Sequence, residues 1–392
     1  MRKLLPILVF GIAAAAARAD EPAVLKLTYY GDVLANISGG VGPGAAQILQ
    51  FDANLTLDAD ALWGWQNTKF YVRGFANNGA SIGDHSGDAL GIDSWETGHR
   101  EAKLLEAWVD REFAGGRVGV RLGLYDTTTD FDASRTDALF LNNAAGMNTP
   151  MLTSGLNGPS TFPATAPGVQ VRWTLDEHWT LKAAIMDGVP GDPDAPGATQ
   201  IAVRQRDGAL LLGEARYHDD AGRRLAVGAW RYTAAHDRID TPVAAPVTAH
   251  GEQGLYLAGD VMLHHRPEAP LKGLSLGGRV AASDPQFARF DRFGNIGLTY
   301  NDLRAGHDDR IGVGLFCVET SAGFRARQAA DGTPVGRREC NVEATYRYAL
   351  RPWLLVQPDA QYVFRPIYAP EASHALVVGL RLTISYDSSQ PG

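Results

Sequence analysis

Cysteine is nearly absent from this chain of 392 residues, where only Cys317 and Cys340 occur. A pair that sparse supports neither a cysteine-rich metal centre nor a small scaffold held together by several disulfides. Positive charge is also in short supply. The first 19 residues carry three of the 36 Lys+Arg and none of the 44 Asp+Glu, so the remainder holds 33 against 44 and a formal charge of −11. That balance argues against nucleic acid as a partner. After residue 17 no apolar run approaches the ~20 residues a spanning helix requires. A transmembrane helix is therefore not expected, whereas membrane-crossing strands would leave just this hydropathy, because their lipid-facing and lumen-facing residues alternate.

The start of the chain reads as a secretory leader. Arg2 and Lys3 precede an apolar run from Leu4 to Ala17, and Ala17-Arg18-Ala19 is a small-x-small cleavage site. Residues 1–19 are expected to be removed, leaving 20–392 as a single domain outside the cytoplasm. No block of like charge, low-complexity linker or short repeat divides it. With 44 glycines, 9% aromatics and a mean hydropathy of −0.16, it suits a β-rich protein.

Alternation of apolar and polar residues recurs along the chain. In GRVGVRLGLYDTTTDF, Val118, Val120, Leu122 and Leu124 oppose Arg117, Gly119, Arg121, Gly123 and Tyr125. Leu49 to Asp58, Val169 to Leu175 and Leu376 to Tyr386 repeat the pattern, the last ending on an aromatic. It predicts strands at 24–33, 47–58, 68–77, 103–113, 117–125, 168–176, 179–187, 209–217, 224–232, 254–263, 273–282, 292–302, 310–318, 340–348, 352–362 and 375–386. Every second connection is short, as at Ala114-Gly115 and Asp176-Glu177-His178. The intervening ones are mostly long, at 78–102, 126–167, 188–208, 233–253 and 319–339. An even strand number with short turns on one rim and long loops on the other predicts an all-β fold, a transmembrane antiparallel outer-membrane β-barrel of about 16 strands. Both chain ends and the short turns are then periplasmic, and the long loops extracellular.

The segments YYGDVLANISGG, LLEAWVDREF, GRVGVRLGLYDTTTDF, GALLLGEARY, IGLTYNDLRAGHDDRIGVGLF, VEATYRYALRPWLLVQPDAQYVFRP and ALVVGLRLTISY together resemble the carbohydrate-selective porins of the OprB family. They cover essentially the whole mature chain. The resemblance implies passive, facilitated diffusion of sugars such as glucose into the periplasm, across the outer membrane of a Gram-negative bacterium. The implied partners are mono- or oligosaccharides as permeants and outer-membrane lipid, with a homotrimer as an assembly to test and no cofactor. One departure is that six residues, Asp387 to Gly392, follow Tyr386, where such barrels usually stop at an aromatic.

A sugar channel needs donors and acceptors that replace hydration without holding the solute. The face opposite the apolar residues offers Asp52, Glu106, Arg121, Arg172, Glu214, Arg216, Asp260, Arg279, Glu343, Arg347, Gln357, Asp359, Gln361 and Arg381 as the substrate channel. Each alone is more readily a solvated wall residue or an ion-paired brace than a ligand. Trp108, on the face of Glu106, is the candidate for stacking on a pyranose, with Trp95, Phe131 and Phe140 as alternates. Trp63, Trp65 and Trp179 are read as interface anchors.

Other motifs give way. The glycine-rich stretch from Gly39 to Gly44 lacks the Lys-Ser/Thr of a phosphate loop. His264-His265, placed in a short Pro-bearing turn, is weak as a metal site, and no metal is expected. Neither a G-x-S-x-G nor an H-E-x-x-H motif occurs, so the chain is not read as an enzyme. Cys317 and Cys340 bracket the connection between the thirteenth and fourteenth strands and are read as a disulfide, with two unpaired buried thiols as the alternative. Two other functions stay open: a general diffusion porin, and a soluble secreted sugar-binding β protein whose apolar faces form an internal core.

Overall fold

The computed structural model describes residues 21–266, 269–304 and 307–390; the leader assigned to residues 1–19 lies outside them. Its wall begins with β1 (Ala23–Gly39), β2 (Gly44–Asp58), β3 (Thr68–Asn77), β4 (Glu101–Phe113), β5 (Val118–Tyr125), β6 (Ala166–Thr174), β7 (Trp179–Asp187), β8 (Ala209–His218) and β9 (Arg224–Tyr232). A two-residue pair, β10 (His236–Asp237) and β11 (Thr248–Ala249), stands apart in a loop. The wall resumes with β12 (Gln253–Arg266), β13 (Ala269–Ser283), β14 (Phe290–Asn301), β15 (Arg310–Thr320), β16 (Arg338–Arg351), β17 (Leu354–Phe364) and β18 (His374–Asp387). The sixteen long strands pair antiparallel with their neighbours, and β1 pairs with β18 to close the barrel, so no strand edge is left open to lipid. Among the described residues, four short helices lie in connections: α1 (Ala59–Trp63), α2 (Gly83–Ser86), α3 (Thr149–Leu152) and α4 (Ala322–Ala330).

All sixteen expected strands are present. β1 runs on to Gly39, and β12 to Arg266, so His264 and His265 sit in a strand rather than in the turn expected of them. Continued cross-strand pairing there outweighs the local Pro signal.

The two sides of the wall are inverted relative to a soluble protein. Leu122, Ile185, Leu255 and Val280 are 55–60% exposed on the outside, whereas Gln50, Asp52, Glu214 and Glu343 are buried within. A closed barrel with that polarity displaces the soluble alternative, in which the apolar faces would be the covered ones.

Turn chemistry explains the short rim. Ala114, Gly115 and Gly116 all take positive φ between β4 and β5, and two of the three are glycines, which bear that conformation without strain. On the same rim the Asp58 carboxylate accepts from the backbone N–H of Asp60 and Ala61, and Gly64 ends α1 in the left-handed region. This presents Trp63 and Trp65 outward, in contact with Phe70, an aromatic girdle of the kind found where a barrel meets the interface.

The buried core lies inside the barrel. Residues 126–165 fold inward, and their Phe131, Phe140, Met147 and Met151 pack against Trp230, Tyr256, Phe293 and Phe316 of the wall. A smaller cluster joins Ile82 and Ile92 of the 78–100 loop to Leu34, Ile48, Val363 and Val377.

Candidate functional site

The inward loop is built from short capped turns. Asp126 accepts from Thr128 N–H, Asn142 from Ala144 N–H, and Asn148 from Met151 N–H, with Pro150 early in α3. These caps satisfy backbone groups that burial would otherwise leave unpaired. The wall supplies the rest. Arg279, fully buried, places Nη1 3.0 Å from Asp132 Oδ2 and Nη2 3.0 Å from Asp137 Oδ2, and Nη2 also donates to the carbonyls of Ala144 and Ala145. The Glu343 carboxylate accepts from the N–H groups of Leu141 (2.7 Å) and Asn142 (3.1 Å). Glu214 accepts from Asp132 N–H and from the Tyr256 hydroxyl, and Asp260 from Ser134 Oγ and Thr136 N–H. Gln357 donates to Leu139 O, Gln361 to Ile92 O and to Asp359, and Arg381 bridges Asp32 and Asp93.

Much of the predicted ladder thus points inward but is spent on seating the two loops. Glu214, Asp260, Arg279, Glu343, Gln357, Gln361 and Arg381 each contact loop residues directly, and Asp359 reaches them through Gln361.

Inward charges that keep water access concentrate on the wall from β2 to β9. Arg121 donates from Nε to Asp110 Oδ2 (3.1 Å) and from Nη1 to Asp130 Oδ2 of the inward loop (2.6 Å). Arg172 pairs with Glu112 at 2.9 Å, and Arg216 reaches both Glu214 and the Asp130 carbonyl. Lys182 donates to the same carbonyl at 2.7 Å. Arg73 spans Asp52 (3.0 Å) and Glu106 (3.6 Å). Side chains of Arg73, Asp110, Arg121, Asp130, Arg172 and Arg216 are 13–25% accessible. Burial works against the Asp130 carboxylate, but Lys182 and Arg121 hold it below the usual carboxylate range. Arg347 lies apart, paired with Asp308 toward the periplasmic mouth.

The aromatic expectation needs correcting. Trp108 does face inward, but Tyr71 of β3 stacks on it at 4.9 Å, and the Arg121 guanidinium of β5 lies 4.1 Å from its ring centroid. These neighbours come from strands on either side of β4, so both ring faces are covered. Gly123 makes the fit possible, since a Cβ there would fall 2.9 Å from Trp108 Cβ and 2.2 Å from Ala107 O. Phe131 and Phe140 are core residues, and Trp95 packs between Tyr30 and Phe162. Phe131 and Phe140 are therefore closed to solute, and Trp95 is held half-buried by its aromatic neighbours.

Sequence reasoning missed Arg73, Asp110, Asp130 and Lys182. Asp110 shares the parity of Glu106 and Trp108 and was open to that rule. Asp130 was not, because strand parity says nothing about a loop that folds back into the lumen. Parity itself shifts in β4, where a bulge at Leu105 sets both Leu105 and Glu106 inward. Cys317 and Cys340 face each other directly across β15 and β16 and form a disulfide with Cα atoms 4.1 Å apart.

A closed sixteen-stranded barrel with an apolar outer wall and a charged lumen narrowed by an inward loop defines a channel of the Gram-negative outer membrane, a porin. The profile of the carbohydrate-selective porin family, OprB, matches residues 43–386, and the chain belongs to that family. It is an outer-membrane sugar porin. Porin B of Pseudomonas aeruginosa is 22% identical over 394 aligned residues, spanning 91% of this chain and 86% of that protein. The high-pH structure of Pseudomonas putida OprB superposes with a TM-score of 0.84 at 19% identity, over 96% of this chain and 100% of that one. The outer-membrane channel DcaP of Acinetobacter baumannii reaches 0.53 at 10% identity, over 95% and 100% of the respective chains. At these identities the structural likeness speaks to the fold.

Proposed function

We propose that sugars cross this barrel passively along the corridor beside the inward loop, exchanging hydration for contacts with Arg73, Asp110, Arg121, Asp130, Arg172 and Arg216. The observation that carries this reading is that these groups alternate in sign and keep water access while the opposite wall is sealed by loop. Neutral polyols need both donors and acceptors, and mixed charge gives no ion a uniformly favourable path. Guanidinium groups suit paired hydroxyls because their donors form a planar fork. Residues 1–19 act as a cleaved leader in this account, and 20–392 as one porin domain. Each barrel encloses its own corridor, so a homotrimer would carry three in parallel.

A general diffusion porin is the second reading, favoured by the covered faces of Trp108. Swelling of liposomes containing the barrel separates the two. Selectivity requires sugars to enter faster than non-sugar solutes of equal size, whereas equal rates support simple sieving.

A further inference from the structure

Arginines also gather outside the lumen, on the extracellular rim where β16 begins and the 365–373 connection crosses. There a cavity of about 480 Å³ is lined by Gly336, Arg337, Arg338, Arg365, Pro366 and Glu371, among others. Arg338 is 64% exposed and pairs with Glu319, which Arg292 also approaches at 3.8 Å. Arg337 is exposed and, with Arg338 and Arg292, faces the single carboxylate of Glu319, while Arg365 is exposed on the neighbouring connection. Counting the acids Glu319 and Glu371, the cleft and its edge retain an excess of positive charge. The backbone beneath is fixed by Gly336 N–H donating to Ile367 O and by Arg365 N–H donating to Ser373 O. The Cys317–Cys340 bridge joins the two strands two residues below Arg338.

Position decides what such a cleft meets. Directly below it on the outer wall are Tyr362 and Phe364, both exposed, in edge contact at 4.6 Å, with Tyr362 stacked on His374. Exposed aromatics of this kind mark the boundary between hydrocarbon and head groups. The cleft therefore stands at head-group height. Guanidinium groups in excess of the carboxylates beside them are matched in charge and geometry by phosphate. We propose that the cleft formed by Arg337, Arg338 and Arg365 binds the phosphorylated head group of an anionic outer-leaflet glycolipid, whose acyl chains lie along the barrel wall below. The disulfide then serves to keep the two strands under the cleft in register.

The test uses the full barrel in detergent micelles, with bound lipid counted by native mass spectrometry. The probes are bisphosphorylated lipid A, its dephosphorylated form and inorganic phosphate. Native protein should retain lipid A and not the dephosphorylated form. Each lost charge near a membrane surface weakens such binding roughly fivefold, so R337Q/R338Q/R365Q should bind about a hundredfold more weakly. Arg365→Gln alone, outside the strands, should lose about fivefold and serves if the triple variant does not fold. Ion conductance should stay unchanged in both. Equal retention of lipid A by native and substituted barrels overturns the proposal, as does its full displacement by inorganic phosphate at matching concentration, which would make the cleft a site for free anions.

Discussion

Arg121 shows how far a single side chain can be read. Its inward orientation follows from alternation with Val120 and Leu122, since one register places all three. Its partners follow only in part, because Asp110 lies on a neighbouring strand while Asp130 arrives on a loop whose inward fold no local pattern announces. The consequence is testable. Arg121→Ala leaves two carboxylates facing an open corridor and uncovers one face of Trp108. A good charged hydrogen bond contributes roughly 1.5–3 kcal/mol, so sugar block of ion current should weaken about tenfold or more while the barrel still folds. Arg121→Lys should keep charge selectivity but not sugar block, because an ammonium neither forks onto two hydroxyls nor lies flat on the ring. An unchanged block constant in the alanine variant assigns Arg121 to the wall.

Elements differ in how openly the sequence declares them. Strands were legible because one side of each must face lipid and the other water, which imposes a period of two over long stretches. The loops at 78–100 and 126–165 were legible only as long connections. Their fold depends on contacts made hundreds of residues away, such as Glu343 with Leu141 and Asn142. That dependence makes the inward loop separable from the barrel. Arg279→Ala strands Asp132 and Asp137 in a buried site, a loss of about 3–5 kcal/mol that falls on the loop. Single-channel conductance should rise and trypsin should cut within 126–165, with the barrel's heat-modifiable gel band retained; native conductance would show that the loop holds its place without Arg279.

The 78–100 loop carries a pH dependence of its own. Burial, then the charge of Asp88, pushes the Glu96 carboxyl up to about 8. A carboxyl raised in the folded state contributes stability that is complete below its ordinary value and is lost as pH rises through about 8. Conductance noise from this loop should therefore grow as pH passes through about 8, and Glu96→Gln should remove the step. A step that persists in that variant must come from another group.

At the scale of the whole molecule, the account rests on an inverted wall around a partly filled lumen. Leu122→Arg, on the outer face, should lower folding into lipid vesicles by ~2–4 kcal/mol near mid-membrane, whereas Thr56→Arg, on the inner face, should fold nearly as the native chain does. Equal responses would mean that the sides are misassigned. Strand number, order and sidedness were all accessible from sequence, because they follow from periodicity and turn spacing. What was not accessible is which inward groups meet solute, since that depends on how much of the lumen the loops consume. The central claim, that the remaining corridor recognises sugars, is tested most directly by ion current through single barrels in planar bilayers. Added mono- and disaccharides should block that current with constants that differ from sugar to sugar, and neutral polyethers of matched size should not. Block that tracks solute size alone, equal for sugars and polyethers, would contradict it.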